Sequence, residues 1–330
     1  MLKKIRKKGA ISVKTIVMVS IILISFIVIL FFMGFFDYEQ QVSKSACKQS
    51  IVNRHNAKFG IFSARGSIPL KCQTQLNCLT MSGDDCSLVG TEDNPVRKVK
   101  LSNDKQIAKK QIMEEFANAL VECHNMLGEG ELHFMPRKWG KEIYGLICSR
   151  IALDEKARKE IKEIQYSSFY KYLGEKKLQS GKSYLEYLYK VKKSEDMIAV
   201  FNKAKEEAKN NNKITFAGKY SKWTIDLTKA QGEAIVAKMA VAGTWKDWLL
   251  PAGIGVAVFA LPVFISGYIL GSVSIALISI AGVEGAAAGS TALIFMFKHK
   301  DNFDYFAPGI YDYEVRVLNS IGISSFEVAP

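Results

Sequence analysis

Residues 15–36 form a stretch of 22 residues without a charged side chain, TIVMVSIILISFIVILFFMGFF. At about 1.5 Å of rise per residue, a helix of this length crosses a hydrocarbon core of about 30 Å. Basic residues, which favour the cytoplasmic side of a membrane, precede the stretch at Lys3, Lys4, Arg6, Lys7 and Lys8. We therefore predict a basic cytoplasmic leader at 1–14 and a transmembrane helix at 15–36. A cleaved secretory signal is the alternative, although its apolar core is usually about 7–15 residues long.

A second apolar region covers residues 248–297 and contains one charged residue, Glu284. A single helix of this length would measure roughly 75 Å, which is far too long for one bilayer. The region therefore predicts a transmembrane helical hairpin, followed by a C-terminal tail at 298–330 with a possible β-hairpin. The alternative is one deep span with a re-entrant or surface-lying segment.

Glu284 is the polar residue of this predicted hairpin, and small residues surround it. An acid inside a membrane is costly and often functional, and small neighbours permit close helix packing. Three interpretations stay open for Glu284: a proton or ion site, a polar contact to another helix or subunit, and a solvated position near the interface.

All six cysteines lie between the two apolar regions, at Cys47, Cys72, Cys78, Cys86, Cys123 and Cys148. An even number of cysteines in an external segment is typical of disulfides in an oxidising compartment. We predict a local bridge between Cys78 and Cys86 and two bridges that join the segment 47–72 to the segment 123–148. The cysteines and histidines lack the usual zinc spacings, so we predict no metal site and no cofactor.

Residues 37–247 carry 36 basic and 26 acidic side chains, a net charge of +10. They predict one external α+β domain. An apolar residue recurs every three or four positions over 103–127, which is typical of a helix. Further helices are predicted at 154–165, 184–210 and 229–243, a buried apolar segment at 144–153, and strands at 67–72, 95–101, 223–226 and 311–318.

Tyrosines and lysines alternate irregularly over residues 166–193, a mixture that can bind polyanions by charge and stacking. The candidate binding patch consists of Tyr170, Lys171, Tyr172, Tyr187, Tyr189 and Lys190. We favour the alternative of amphipathic helices with aromatic side chains in the core and lysines in water. Because the domain is predicted outside the cytoplasm, anionic lipid headgroups or envelope glycans are better ligands for such a patch than nucleic acid.

Three cysteine-centred motifs carry a resemblance to known proteins: Ile68-Pro-Leu-Lys-Cys72, Cys123-x₃-Leu-Gly-Glu-Gly-Glu-Leu132 and Ile147-Cys-Ser-Arg-Ile151. In these motifs the chain resembles uncharacterised membrane-anchored external proteins of small-genome archaeal lineages, over residues 10–190. The resemblance implies the same topology and disulfides and carries no activity. The stretch 7–13 is also similar to a type IV prepilin leader, but Lys14 stands where the prepilin pattern has Glu.

No nucleophile or metalloprotease signature occurs in the sequence. We therefore predict a membrane-anchored scaffold or receptor-like protein of the cell envelope without catalysis. Its expected partners are the lipid bilayer and other envelope proteins, or a second copy held through the transmembrane hairpin. The first alternative is a subunit of a transport or secretion assembly that uses the Glu284 hairpin, and the second is an external hydrolase.

Overall fold

A computed structural model describes the chain in segments. The described residues are 13–35, 38–59, 62–63, 67–88, 90, 94–133, 143–199, 202, 224–241, 261–265, 268–279, 291–298, 303–313 and 323–326. They fall into two compact units, Met1–Ser43 and Lys44–Pro330.

The first unit contains helix α1, Val13–Phe35. The structure describes the side chains of α1 at Lys14 and over residues 17–28. The large apolar side chains in this run are exposed, for example Met18 at 70% and Ile22 at 67%. Within the described residues, no helix is both long and apolar enough to cross a membrane.

The second unit is built from helices and thirteen described strands. Helix α2 (Tyr38–Asn56) begins within the first unit and ends in the second. The other helices are α3 (Lys105–Met126), α4 (Glu155–Glu160), α5 (Tyr166–Glu175) and α6 (Tyr184–Tyr189). The strands are β1 (Lys58–Phe59), β2 (Phe62–Ser63), β3 (Gln75–Thr80), β4 (Val96–Lys100), β5 (Ile143–Leu153), β6 (Glu163–Gln165), β7 (Thr224–Asp226), β8 (Glu233–Val241), β9 (Leu261–Ile265), β10 (Tyr268–Ser279), β11 (Thr291–Lys298), β12 (Phe303–Asp312) and β13 (Ile323–Phe326).

A five-strand mixed sheet, in the order β4-β3-β5-β8-β12, forms the centre of this unit. Strands β4, β3 and β5 run parallel, whereas β8 is antiparallel to both of its neighbours, β5 and β12. Beyond β12 the sheet continues through β11, β10 and β9, all antiparallel. Strand β13 pairs in parallel with the first residues of β5, next to the stretch of β5 that pairs with β3. The fold class α+β is therefore confirmed.

Helix α3 supplies the largest helical part of the core because its apolar side chains lie on one face. Ile112, Phe116, Leu120 and Cys123 are all fully buried, and the helix packs on β5, β8 and β12. The Asp104 carboxylate accepts hydrogen bonds from the backbone N–H groups of Gln106 and Ile107, which is a strong N-cap. The prediction of a helix over 103–127 is confirmed.

The helical hairpin predicted over 248–297 is wrong for the residues that the structure describes, because these form strands β9, β10 and β11. An apolar run indicates that a segment is buried, but it does not show whether that segment is a helix or a strand. Here the free edge of β12 provides backbone hydrogen-bond partners for β11, and β11 provides them for β10. Glu284 lies outside the described residues.

Other predicted elements also differ from the structure. The predicted helix at 229–243 is strand β8 over its described residues. The helix predicted at 184–210 is interrupted after Tyr189, where Lys190 adopts a left-handed φ of 59°, and residues 194–199 are helical again. Helix α4 ends at Glu160, and residues 67–72, all of them described, do not form a strand. Most of the predicted tail hairpin, including residues 314–322, lies outside the described residues. Where the structure describes the tail, β12 ends at Asp312 and β13 pairs with β5.

Candidate functional site

All six cysteines are paired in disulfides, as predicted. The bridge Cys78–Cys86 is confirmed. The predicted connection between segments 47–72 and 123–148 is wrong, because the bonds are Cys47–Cys72 and Cys123–Cys148. Each of these two bonds joins cysteines of one segment. The paired Cα atoms lie 4.3 Å apart in Cys47–Cys72 and 5.5 Å apart in Cys123–Cys148. Among the described residues there is no group of three or more side chains that could hold a metal ion.

The aromatic residues of the candidate binding patch lie in the core. Tyr170, Tyr172 and Tyr189 are buried, at 3%, 8% and 4% exposed. The Tyr170 and Tyr189 rings pack edge to face at 6.3 Å, and the Tyr189 hydroxyl donates to the Pro308 carbonyl at 3.2 Å. These rings therefore offer no open face for stacking. Tyr187 and Lys190 are half-buried, and Lys171 is exposed.

Five exposed lysines flank that buried aromatic layer in the sequence: Lys171, Lys177, Lys182, Lys192 and Lys193. We name the first four of them the lysine surface. A surface of this kind can bind an anionic partner by charge alone. It does not provide the stacking contacts that the mixed tyrosine and lysine pattern suggested.

A lysine and two carboxyl groups meet where β8 begins and β12 ends, and we name Lys229, Glu233 and Asp312 the carboxyl–lysine cluster. Glu233 and Asp312 are cross-strand neighbours. The Lys229 Nζ forms an ion pair with Asp312 Oδ2. Side-chain exposure is 17% for Lys229 and 8% for Asp312, and Glu233 is 3% exposed. The three groups are thus in contact with one another and largely shielded from water.

Glu233 is the neutral member of the carboxyl–lysine cluster. Burial raises the pKa of Glu233 well above its usual range, and the neighbouring Asp312 carboxylate raises it further. A hydrogen bond joins the two carboxyl groups, which requires one shared proton, and the raised pKa favours Glu233 as its carrier although the Lys229 charge acts in the opposite direction. Its Oε1 atom has no hydrogen-bond partner among the described residues. The cluster therefore holds one amine, one carboxylate and one carboxylic acid.

A tight turn places Lys229 over the two strands. The Gly232 N–H donates to the Lys229 carbonyl at 3.2 Å, and the Gly232 carbonyl accepts from Tyr313 N–H at 3.1 Å. Gly232 has a φ of +75°, and a Cβ there would lie 2.2 Å from the Ile151 carbonyl oxygen. Only glycine fits, because both the φ and the space exclude a side chain.

Lys238 is a second buried amine in the middle of β8. It is 2% exposed, and its Nζ has no hydrogen-bond partner in the described part of the chain. Its closest favourable contact is the Tyr311 ring, whose centre lies 4.6 Å away. Burial lowers the pKa of Lys238 to about 7, so the amine is partly neutral at neutral pH.

His124, near the end of α3, is a buried neutral imidazole. Its Nδ1 lies 3.0 Å from the Tyr305 hydroxyl, and the Tyr187 ring packs edge-on at 5.0 Å. Burial lowers the pKa of His124 to about 3, and the positive charge of Lys190 acts in the same direction. Because nothing opposes this charge repulsion, His124 acts as a packing and hydrogen-bonding group of the core.

Asp154 organises the loop after β3. Burial acts to raise its pKa, but hydrogen bonds to its carboxylate, first from Ser82 and Thr80, lower the pKa to about 2. The two hydroxyl groups donate at 2.6 Å each. Backbone N–H groups of Met81 and Ser82 donate at 2.9 Å, and that of Ala157 donates at 2.7 Å. Asp154 thereby fixes this loop and caps α4.

The sequence did not predict the carboxyl–lysine cluster, because its members come together only through the β8–β12 register. One local signal was available. Lys238 interrupts the apolar run Ala-Ile-Val-Ala-Lys-Met-Ala-Val, and Glu233 stands at its start. A charged residue inside a buried strand needs a partner or a shifted pKa.

Comparison of the chain with family models, curated proteins and solved structures finds no match.

Proposed function

We propose that this chain is a membrane-anchored protein of the cell envelope whose disulfide-bonded α+β domain acts as a scaffold or receptor outside the cytoplasm. The observation that carries the proposal is the pairing of all six cysteines in three disulfides. Such bonds persist in oxidising compartments and are rare in the cytosol.

The anchor is proposed from the sequence at 15–36. These 22 uncharged residues are long enough for a bilayer, although no helix of the described residues qualifies as a membrane span, and the basic leader favours a cytoplasmic N-terminus. The exposed apolar side chains over residues 17–28 favour lipid over water as their surroundings, since burial of such groups contributes about 25 cal/mol per Å².

The partner proposed is an anionic component of the envelope, such as a lipid headgroup or a glycan. The net charge of +10 over residues 37–247 and the lysine surface support this choice, because opposite charges steer and hold such partners. Because the tyrosine rings are buried and cannot stack on a ligand, the lysine surface would recognise its partner by charge.

Attachment to the membrane is tested by fractionation of two chains, the full chain and one that lacks residues 1–36. We expect the full chain to resist extraction by salt and alkaline carbonate, and the shortened chain to be recovered in solution with its disulfides intact. A full chain released by salt alone would overturn the anchor.

The interaction role is tested with vesicles that contain or lack anionic lipid, using the shortened chain. We expect binding to the anionic vesicles, weakened by salt, and a loss of binding when the four lysines of the lysine surface are changed to Gln. The matched control changes Lys105, Lys109, Lys156 and Lys159 to Gln. A shortened chain that instead hydrolysed ester, peptide or glycoside substrates, with loss on a single acid or Ser substitution, would contradict the proposal.

A further inference from the structure

The carboxyl–lysine cluster brings together the reactants of an amide bond. Lys229 Nζ contacts Asp312 Oδ2 directly, and the carboxylic acid of Glu233 is hydrogen-bonded to the same Asp312 carboxyl group. An amine, a carboxyl group and a neighbouring acid are the three components that amide formation between side chains requires.

We propose that Lys229 and Asp312 become joined by an intramolecular isopeptide bond, with Glu233 as the proton relay. The proposal is independent of membrane attachment and concerns the maturation of the domain itself.

The reaction needs no cofactor, oxidant or reductant. A proton passes from the Lys229 ammonium group to the Asp312 carboxylate, which leaves a neutral amine beside a neutral acid. The Nζ lone pair then attacks Cγ of Asp312, a C–N bond forms, and one C–O bond breaks. Glu233 donates its proton to the departing oxygen, which leaves as water, and takes a proton back from the attacking Nζ, so it ends in its initial state. The two hydrogens lost as water therefore come, in net terms, from the ammonium group.

Glu233 is placed to act as the proton relay, because it lies opposite Asp312 in the β8–β12 register and is 3% exposed. Glu233 already carries a proton in this setting, because burial raises its pKa. A protonated acid beside the Asp312 carboxyl group can stabilise the negative oxygen that develops during the attack.

Fixed geometry favours the second step. The β8–β12 register pairs Asp312 with Glu233, and the turn closed by Gly232 holds Lys229 above them. Reactants held in contact in this way gain the large effective concentrations of intramolecular reactions. The bond would link positions 83 residues apart and tie the turn before β8 to the end of β12, the two strands at the centre of the sheet.

The test is the intact mass of the full chain after reduction and alkylation of its cysteines. We expect a mass lower than the sequence mass by one water molecule, and a branched peptide after proteolysis that joins Lys229 to Asp312. Native chain at its full mass, without a branched peptide after prolonged incubation at neutral pH, would overturn the proposal.

Three variants test which side chains lose the water molecule. Lys229→Arg keeps the positive charge and cannot form the bond, so it should show the full mass; a deficit that persists would indicate a cyclic imide at Asp312 and overturn the proposal. Glu233→Gln should also show the full mass, and cross-linking at the rate of the native chain would overturn the relay role. The control Lys176→Arg removes a lysine from a more exposed ion pair with Glu114 and should keep the deficit.

Discussion

At the scale of single residues, the second unit contains ionisable side chains in places where water cannot reach them. Lys238, His124 and Glu233 are each at most 3% exposed, and burial shifts the pKa of each towards its neutral form. A neutral buried group costs far less than a charged one. Stability should therefore depend on pH through these three positions.

Lys238 gives the clearest dependence on pH. Its pKa is about 7 in the folded protein and about 10.4 in an unfolded chain. Between these values the unfolded state binds more protons, so the free energy of unfolding should rise as the pH rises from 7 to 9.5. Lys238→Met should remove this contribution and stabilise the protein at pH 7 by roughly 1–4 kcal/mol.

Denaturant unfolding of both proteins at several pH values checks the Lys238 prediction. The difference between the two curves isolates Lys238 from the other titrating groups. The exposed control Lys171→Met should change stability by less than about 0.5 kcal/mol. A Lys238→Met protein that is less stable than the native chain at pH 7 would show that the ammonium group is satisfied.

Asp154 represents the opposite case, a buried carboxylate with a full set of donors. Asp154→Ala leaves the buried Thr80 hydroxyl, the more exposed Ser82 hydroxyl and three N–H groups without this acceptor, and should cost about 3 kcal/mol. Asp104→Ala, which removes an exposed cap of α3, should cost about 1 kcal/mol. Equal losses in thermal or chemical unfolding would contradict a structural role for the Asp154 network.

At the scale of elements, the sequence predicts a structure correctly where a local pattern of residues is compatible with only one local structure. The α3 helix follows from its apolar spacing and from the glycines at 128 and 130, both of which adopt positive φ. The Cys78–Cys86 bridge follows from a turn between two nearby cysteines. Such local signals need no knowledge of the rest of the chain.

The errors arose where distant partners decide the structure. Residues 233–241 and the apolar run after 260 form strands because neighbouring strands offer them backbone hydrogen bonds, and hydrophobicity alone does not reveal this. The disulfide pairings of Cys47 and Cys123 depend on where α2 and α3 lie. The carboxyl–lysine cluster depends on a register between strands that are far apart in the chain.

The short-loop disulfide Cys78–Cys86 should contribute less to stability than the longer-loop disulfide Cys123–Cys148. Cys78–Cys86 closes a loop with a sequence separation of 8, and Cys123–Cys148 one of 25. Replacing both cysteines by Ala should cost about 2.5 kcal/mol for the first pair and about 3.5 kcal/mol for the second, from the loop entropy alone.

Chemical unfolding of the two double variants under oxidising conditions measures this difference. Burial should increase the stability loss of the Cys123 and Cys148 variant further, because these cysteines are 0% and 2% exposed and join α3 to β5. A greater loss from the Cys78 and Cys86 pair would contradict the view that these bonds act by restricting the unfolded chain.

At the scale of the whole molecule, the chain combines two units with different chemistry. The first contains a helix with exposed apolar side chains, and the second contains the sheet and all three disulfides. The proposed anchor requires a bilayer, and the disulfides require an oxidising compartment. The proposed role in the cell envelope rests on this combination.

The most direct test of this account is the thiol status of the full chain in intact membranes. The membranes are treated with an alkylating reagent, with and without prior reduction, and the protein is weighed. We expect no alkylated cysteine without reduction and six after reduction, matching three disulfides. Cysteines alkylated without reduction would place the domain in a reducing compartment and contradict the proposed orientation.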